Sequence, residues 1–189
     1  MSVYSISLFL HIVGAWGLFA ALGLEWAGLS NLRRATGTDQ AREWARLLAA
    51  PRAVGGPAGL VILASDIYMT ATRWGPQAWI VASLAGIVVI ALLGATISGR
   101  RAAAIVRALQ ESRGPMTADL HRLLHDPGLI LGLRVRGALL LGVVFLMSNR
   151  PGAAGALAAM GAALVLGIAA AMPAFGGSRR AALVAGSER

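Results

Sequence analysis

The sequence predicts an all-α fold: a polytopic membrane helix bundle, one domain over residues 1–189, with five transmembrane helices, the N-terminus outside and the C-terminus in the cytoplasm. Three observations carry that expectation. First, 57% of the 189 residues are apolar and 13% charged, and the mean hydropathy is +0.70. A soluble domain holds about 45–50% apolar and about 25% charged residues, so much of this chain has to meet lipid rather than water. Second, five apolar runs each approach the ~20 residues that cross a ~30 Å hydrocarbon layer. Third, the arginines are unevenly divided among the connections between those runs.

The first span covers about 5–29. Its start, Met1-Ser2-Val3-Tyr4-Ser5, lacks the positive n-region of a secretory signal, and the apolar run outlasts an h-region of about 7–15 residues. It therefore reads as a retained helix. The second span, about 53–72, follows Pro51, a residue suited to the first turn of a helix. The third covers about 78–98. Between these two, Arg73-Trp74-Gly75-Pro76-Gln77 makes a short link, with Trp74 and Trp79 at headgroup depth. The fourth and fifth spans, about 128–148 and 152–175, are joined by the tight turn Asn149-Arg150-Pro151-Gly152 and form an antiparallel hairpin.

Two longer connections carry amphipathic segments, about 38–50 and 100–126. The first opens on the N-cap residue Thr38 and sets Trp44, Leu47 and Leu48 on one face, so it is expected to lie on the membrane surface. The second continues the third span into water, breaks at Gly114-Pro115 and restarts at Thr117, with Leu120, Leu123 and Leu124 on one side. Arginine counts orient the bundle. The first and third connections hold five each and the tail three, against one each in the second and fourth. The arginine-rich side is cytoplasmic by the positive-inside rule.

All 17 basic residues are arginine. Together with the alanine and glycine content, this reads as a GC-rich bacterial genome and places the bundle in a bacterial cytoplasmic membrane. The net charge of +9 does not point to nucleic acid, because the arginines punctuate apolar runs. The absence of cysteine excludes disulfides and thiolate chemistry. No HExxH, GxSxG, P-loop or CxxC motif is present, and an enzyme is not the expectation.

Ionisable residues inside a span cost about 2.5–3.5 kcal/mol each and carry a partner or a task. His11 and Asp66 fall at matched depth near the outer ends of the first two spans. An imidazole–carboxylate pair there can orient the ring, carry a proton or hold an ion. The other reading is structural, with His11 bonded to a carbonyl or to Tyr4 and Asp66 lining a small wet pocket. Tyr68 and Met69 follow Asp66 within a turn. Met69, Met147 and Met160 share the outer half, and soft thioethers beside a histidine suit Cu(I), though methionine also simply packs. Near the inner side, Glu25 is expected to pair with Arg134 or Arg136. These two lie about 200° apart around a helix, so one faces the bundle and the other snorkels. Gly14, Gly17 and Ala21 in the first span, and Gly155, Ala159, Gly161, Ala163 and Gly167 in the fifth, allow close helix packing within the bundle, in a homo-oligomer or in a larger membrane complex.

The stretch Leu10-His11-Ile12-Val13-Gly14-Ala15-Trp16-Gly17 resembles the opening of bacterial copper-resistance-D-like membrane domains and related predicted integral membrane families. Ile67-Tyr68-Met69 with Trp74-Gly75 and Trp79-Ile80, and Leu146-Met147 with Arg150-Pro151, are similar to later junctions of those relatives. The resemblance implies a helical membrane bundle in which His11 is a haem or copper ligand. The chain departs from that pattern in having no cysteine and one histidine within its spans. Three functions follow as expectations. One is binding or transport of a small ligand or ion in an outer-leaflet pocket at His11, Asp66, Tyr68 and Met69. Another is an accessory subunit of a larger membrane complex, and the third is haem or copper handling.

Overall fold

A computed structural model of the protein describes residues 2–48, 50–112 and 117–187, with side chains as far as Phe175. Among the described residues every regular element is helical. Helix α1, Val3–Arg34, begins where the Ser2 hydroxyl accepts from the Ser5 N–H at 3.2 Å. Its 32 residues reach about 48 Å at the usual helical rise, so the last turns stand clear of the hydrocarbon. Helix α2 is Thr38–Leu47 and α3 is Ala50–Met69. A π-helical turn, Thr70–Trp74, extends α3 and stops at Gly75, whose φ of 67° is open to glycine. Helix α4, Ala78–Leu93, passes through a second π-helical turn, Gly94–Ser98, into α5, Gly99–Glu111. Helix α6, Ala118–Leu124, restarts at Thr117, whose side chain caps the Leu120 N–H; the expected break at Gly114-Pro115 lies outside the described residues. Helix α7, Pro127–Asn149, is capped by Asp126 through the Gly128 N–H at 2.8 Å. Helix α8 is Ala153–Ser187 and runs on past the expected end at 175. Five of these rods are long and apolar enough to cross a membrane, and each overlaps one expected span.

Packing divides the bundle into two lobes. Helix α1 lies along α3, while α4 and α8 lie against α7; α3 hardly touches α4 despite the short link between them. Small residues set the close approaches. A Cβ on Gly14 would sit 2.8 Å from Ile62 Cγ1, one on Gly17 2.7 Å from Ala58 Cβ, and one on Gly167 2.8 Å from the Val135 Cα. These glycines are therefore used inside the chain, where backbones must nearly touch. Gly161 meets nothing within 4 Å and faces outward.

The connections on one side form a compact cap. Segment 38–50, expected on the membrane surface through Trp44, Leu47 and Leu48, packs into this cap. The buried face of α2 is Thr38, Ala41, Ala45 and Leu48, with Trp44 and Leu47 only partly covered. It joins Leu29 and Leu32 of α1, Ile105 and Leu109 of α5, and Leu120 and Leu124 of α6 in one cluster. The alanines at i and i+4 let α2 come close, and the leucine faces of α5 and α6 supply an apolar partner that lipid would otherwise have to be. Arginines tie the cap together. Arg42 donates to the carbonyls of Leu109 and Ser112, Arg33 to that of His125 at 3.2 Å, and Arg101 pairs with Asp126 at 3.1 Å.

At the opposite end two arginines sit over aromatic rings. Arg150, in the left-handed region at φ 48°, lies 4.6 Å from the Trp74 ring and 5.9 Å from Trp79, which themselves meet edge to face. Arg73 covers Tyr4 at 5.2 Å. Each cation–π contact is worth about 0.5–1 kcal/mol at an exposed site, and Arg150 ties the α7–α8 turn to the α3–α4 link.

Candidate functional site

His11 and Glu25 both lie on α1, separated by about 21 Å along its axis, and each anchors a polar centre in its own half of the bundle.

In the half away from the cap, His11 Nδ1 lies 3.1 Å from Asp66 Oδ1, with side chains 12% and 7% exposed. Ser65 Oγ is 3.4 Å from the same nitrogen. The Ser65 hydroxyl is within reach of its own helix carbonyls, Val61 at 2.7 Å and Ile62 at 2.9 Å, which leaves its oxygen free to accept. With its proton on Nδ1, the ring shares it between the carboxylate and the hydroxyl. Asp66 Oδ2 is buried and, among the described residues, has no partner. A buried acceptor left empty costs about 1–3 kcal/mol, so this oxygen is an open acceptor for a water or another donor. Met69, within a turn of Asp66, is buried; Tyr68, on nearly the opposite side of the helix from Asp66, is half-buried. Met160 fills the gap between α4 and α7, with Cε 2.7 Å and Sδ 3.2 Å from where side chains on Gly86 and Gly142 would begin, and Met147 packs in the same apolar cluster. Among the described residues no three histidine, cysteine or acidic side chains gather as a metal cluster would need.

In the cap-side half, Arg136 pairs with Glu25, donates to Ser98 Oγ at 2.9 Å and reaches the Gly132 carbonyl at 3.2 Å. Sequence leaves two arginines open for this pairing. The structure selects Arg136, while Arg134 is exposed on another face. The π-helical turn belongs to this site: Arg136 Nη1 lies 3.1 Å from the position of a Gly94 Cβ, and Ser98, its last residue, is buried against the guanidinium. Such turns re-aim side chains and gather at functional sites.

Beside that ion pair is a cavity of about 420 Å³ between the two lobes. Leu22, Leu63, Ile87 and Ile90 make its apolar wall, and Glu25, Ser98, Arg136 and Arg52 its polar floor. Arg52 crosses from α3 to donate to the Gly99 carbonyl at 2.6 Å and, among the described residues, pairs with no acid. The opening is sideways. Gly56 and Leu60 of α3 and Ala91 and Ala95 beyond the gap all line the cavity, and all are exposed. Sequence reading misses this cavity and places the ligand near His11 and Asp66. The available signal is Gly55-Gly56-Pro57-Ala58-Gly59 together with Gly94 and Ala95, small residues that leave room where larger ones would close the seam.

These features define the class: a multi-pass α-helical membrane protein with a cap on one side, a buried His–Asp pair in one half and an arginine-floored cavity in the other. No known protein family, curated protein or solved structure matches the chain.

Proposed function

We propose that the chain is a binding or transport module of a bacterial cytoplasmic membrane that takes a small, largely apolar anion from the bilayer into the cap-side cavity. The cavity and its floor carry this reading. A volume of about 420 Å³ lies within the range of about 300–1,000 Å³ of small-molecule sites, which are mostly apolar with a few placed polar groups. Two guanidiniums against one carboxylate leave a net positive floor, and the lateral mouth opens where lipophilic molecules dissolve. Sodium decanoate tests it. In detergent it should raise the melting temperature, whereas decyltrimethylammonium should not. Gly59 lines the cavity and a Cβ there meets nothing within 4 Å, so Gly59→Leu fills the space without a backbone clash and should remove the effect. Equal stabilisation by both amphiphiles, or full stabilisation of Gly59→Leu, would sink the proposal.

The same reading puts the cap in the cytoplasm, on the arginine asymmetry. Because the chain has no cysteine, single cysteines report cleanly. Cysteine at Ser2, Gln77 or Gly152 should react with an impermeant maleimide in intact cells, and cysteine at Gly37 or Ser112 only after lysis. Gln77 serves better than Gly75, where the positive φ strains any side chain. Labelling of the second set in sealed cells reverses the orientation.

A further inference from the structure

Arg134 is the charge that the cavity and the ion pair leave unexplained. It lies two turns into α7, inside an apolar span, and its side chain is exposed. Among the described residues it has no hydrogen-bond, ion-pair or ring partner. It opens onto a groove distinct from the cavity, formed by α1, α7 and α8 and enclosing about 830 Å³. Trp26, 58% exposed, stands at the same end. The groove then runs along α7 past Gly137 and Leu141 to Phe145. From Arg134, about six residues inside the 128–148 span, to Phe145 near its far end, the helix rises about 16 Å. The floor is smooth because Gly137, Ala162 and Ala163 carry little side chain. A guanidinium at the head of a long apolar groove matches a molecule with an anionic head and an acyl chain. We propose that this groove is a binding site for a phospholipid of the cap-side leaflet, its phosphate bidentate on Arg134, which reaches toward the headgroups, and one acyl chain along Gly137 and Leu141.

The chemistry is direct. Arginine bonds phosphate through paired N–H donors, and a snorkelling side chain carries those donors toward the headgroups. Trp26 beside it has the amphipathic ring that settles at headgroup level.

The test uses the purified full chain, stripped of lipid in detergent and titrated with phosphatidylglycerol under native mass spectrometry. One lipid should be retained well above the rest. Arg134→Gln, at an exposed position, should weaken its retention roughly tenfold to a hundredfold, the loss of a charged hydrogen bond. Diacylglycerol, which lacks the phosphate, should bind wild type no better than phosphatidylglycerol binds that variant. Gly137 has open space where a Cβ would go, so Gly137→Leu should block the groove while melting remains unchanged. Undiminished retention by Arg134→Gln, or equal binding of the two lipids, overturns the proposal. So does stabilisation by inorganic phosphate alone, which would make the site a free-anion site. A dimer in detergent that Gly137→Leu dissociates also overturns it, by giving the groove to a second copy. The decanoate experiment turns on Gly59, which does not line this groove, so either site can fail without the other.

Discussion

Replacing Glu25 by alanine should lower the unfolding free energy in detergent by about 3–5 kcal/mol, the range for breaking a buried ion pair from one side. The Arg136 and Glu25 side chains are only 8% and 13% exposed. Without the carboxylate, the guanidinium keeps Ser98 Oγ and the Gly132 carbonyl, which satisfy donors but not charge. Arg136→Leu strands Glu25 in the same way beside an apolar wall. The double variant Glu25→Ala/Arg136→Leu should cost clearly less than the two singles added, because each single exposes a charge that the double removes. Arg134 supplies the control. It faces a different groove, so Glu25→Ala with Arg134→Ala should be additive within about 0.3–0.5 kcal/mol. Coupling of Glu25 to Arg134 instead, or strict additivity with Arg136, rules the pair out. Because this ion pair floors the cavity, Glu25→Gln should also alter decanoate binding, since it makes the floor more positive.

The five spans are legible because hydropathy over about 20 residues reports on solvent, and lipid leaves only helices as an answer for isolated segments. Partner choice is less legible. Gly14 and Gly17 announce a close approach, yet only coordinates show that Ala58 and Ile62 fill it. The alanine face of α2 is hard to read because Trp44, Leu47 and Leu48 stand out as its apolar residues when α5 and α6 are not in view; the cluster that Ala41, Ala45 and Leu48 join is a tertiary fact. His11 and Asp66 are visible as expensive residues at matched depth. Choosing between Arg134 and Arg136 requires the rotation of α7 about its axis; spacing says that they face different ways and not which way each faces. The cavity is hidden for another reason: it consists of what small residues omit, and the π-helical turn at Gly94–Ser98 has no sequence signature strong enough to place it. Arg150 looks like a turn residue until its ring contacts are seen.

Leucine at both His11 and Asp66 should leave the bundle as stable as before, or up to about 1–4 kcal/mol more stable, because well-packed apolar residues often match or outperform a buried ion pair. The single variants should be unequal. His11→Leu leaves a carboxylate with two bare oxygens, one of which, Oδ2, already lacks a partner, and should be the most costly. Asp66→Leu leaves an imidazole that still reaches Ser65 Oγ and, being able to stay neutral, should cost less. Thermal unfolding of the three variants in one detergent orders them. A double variant less stable than either single would show that the pair is held for stability. The expected order carries a functional consequence. If the pair does not stabilise the fold, its presence in a span where an aspartate is expensive points to what it binds, and Oδ2 is the open acceptor. The double-leucine variant should therefore fold and still bind decanoate, since the cavity floor is about 21 Å away along α1, yet fail to carry decanoate across a proteoliposome membrane. Uptake equal to wild type would return His11 and Asp66 to a packing role and leave the cap-side cavity as the whole of the site.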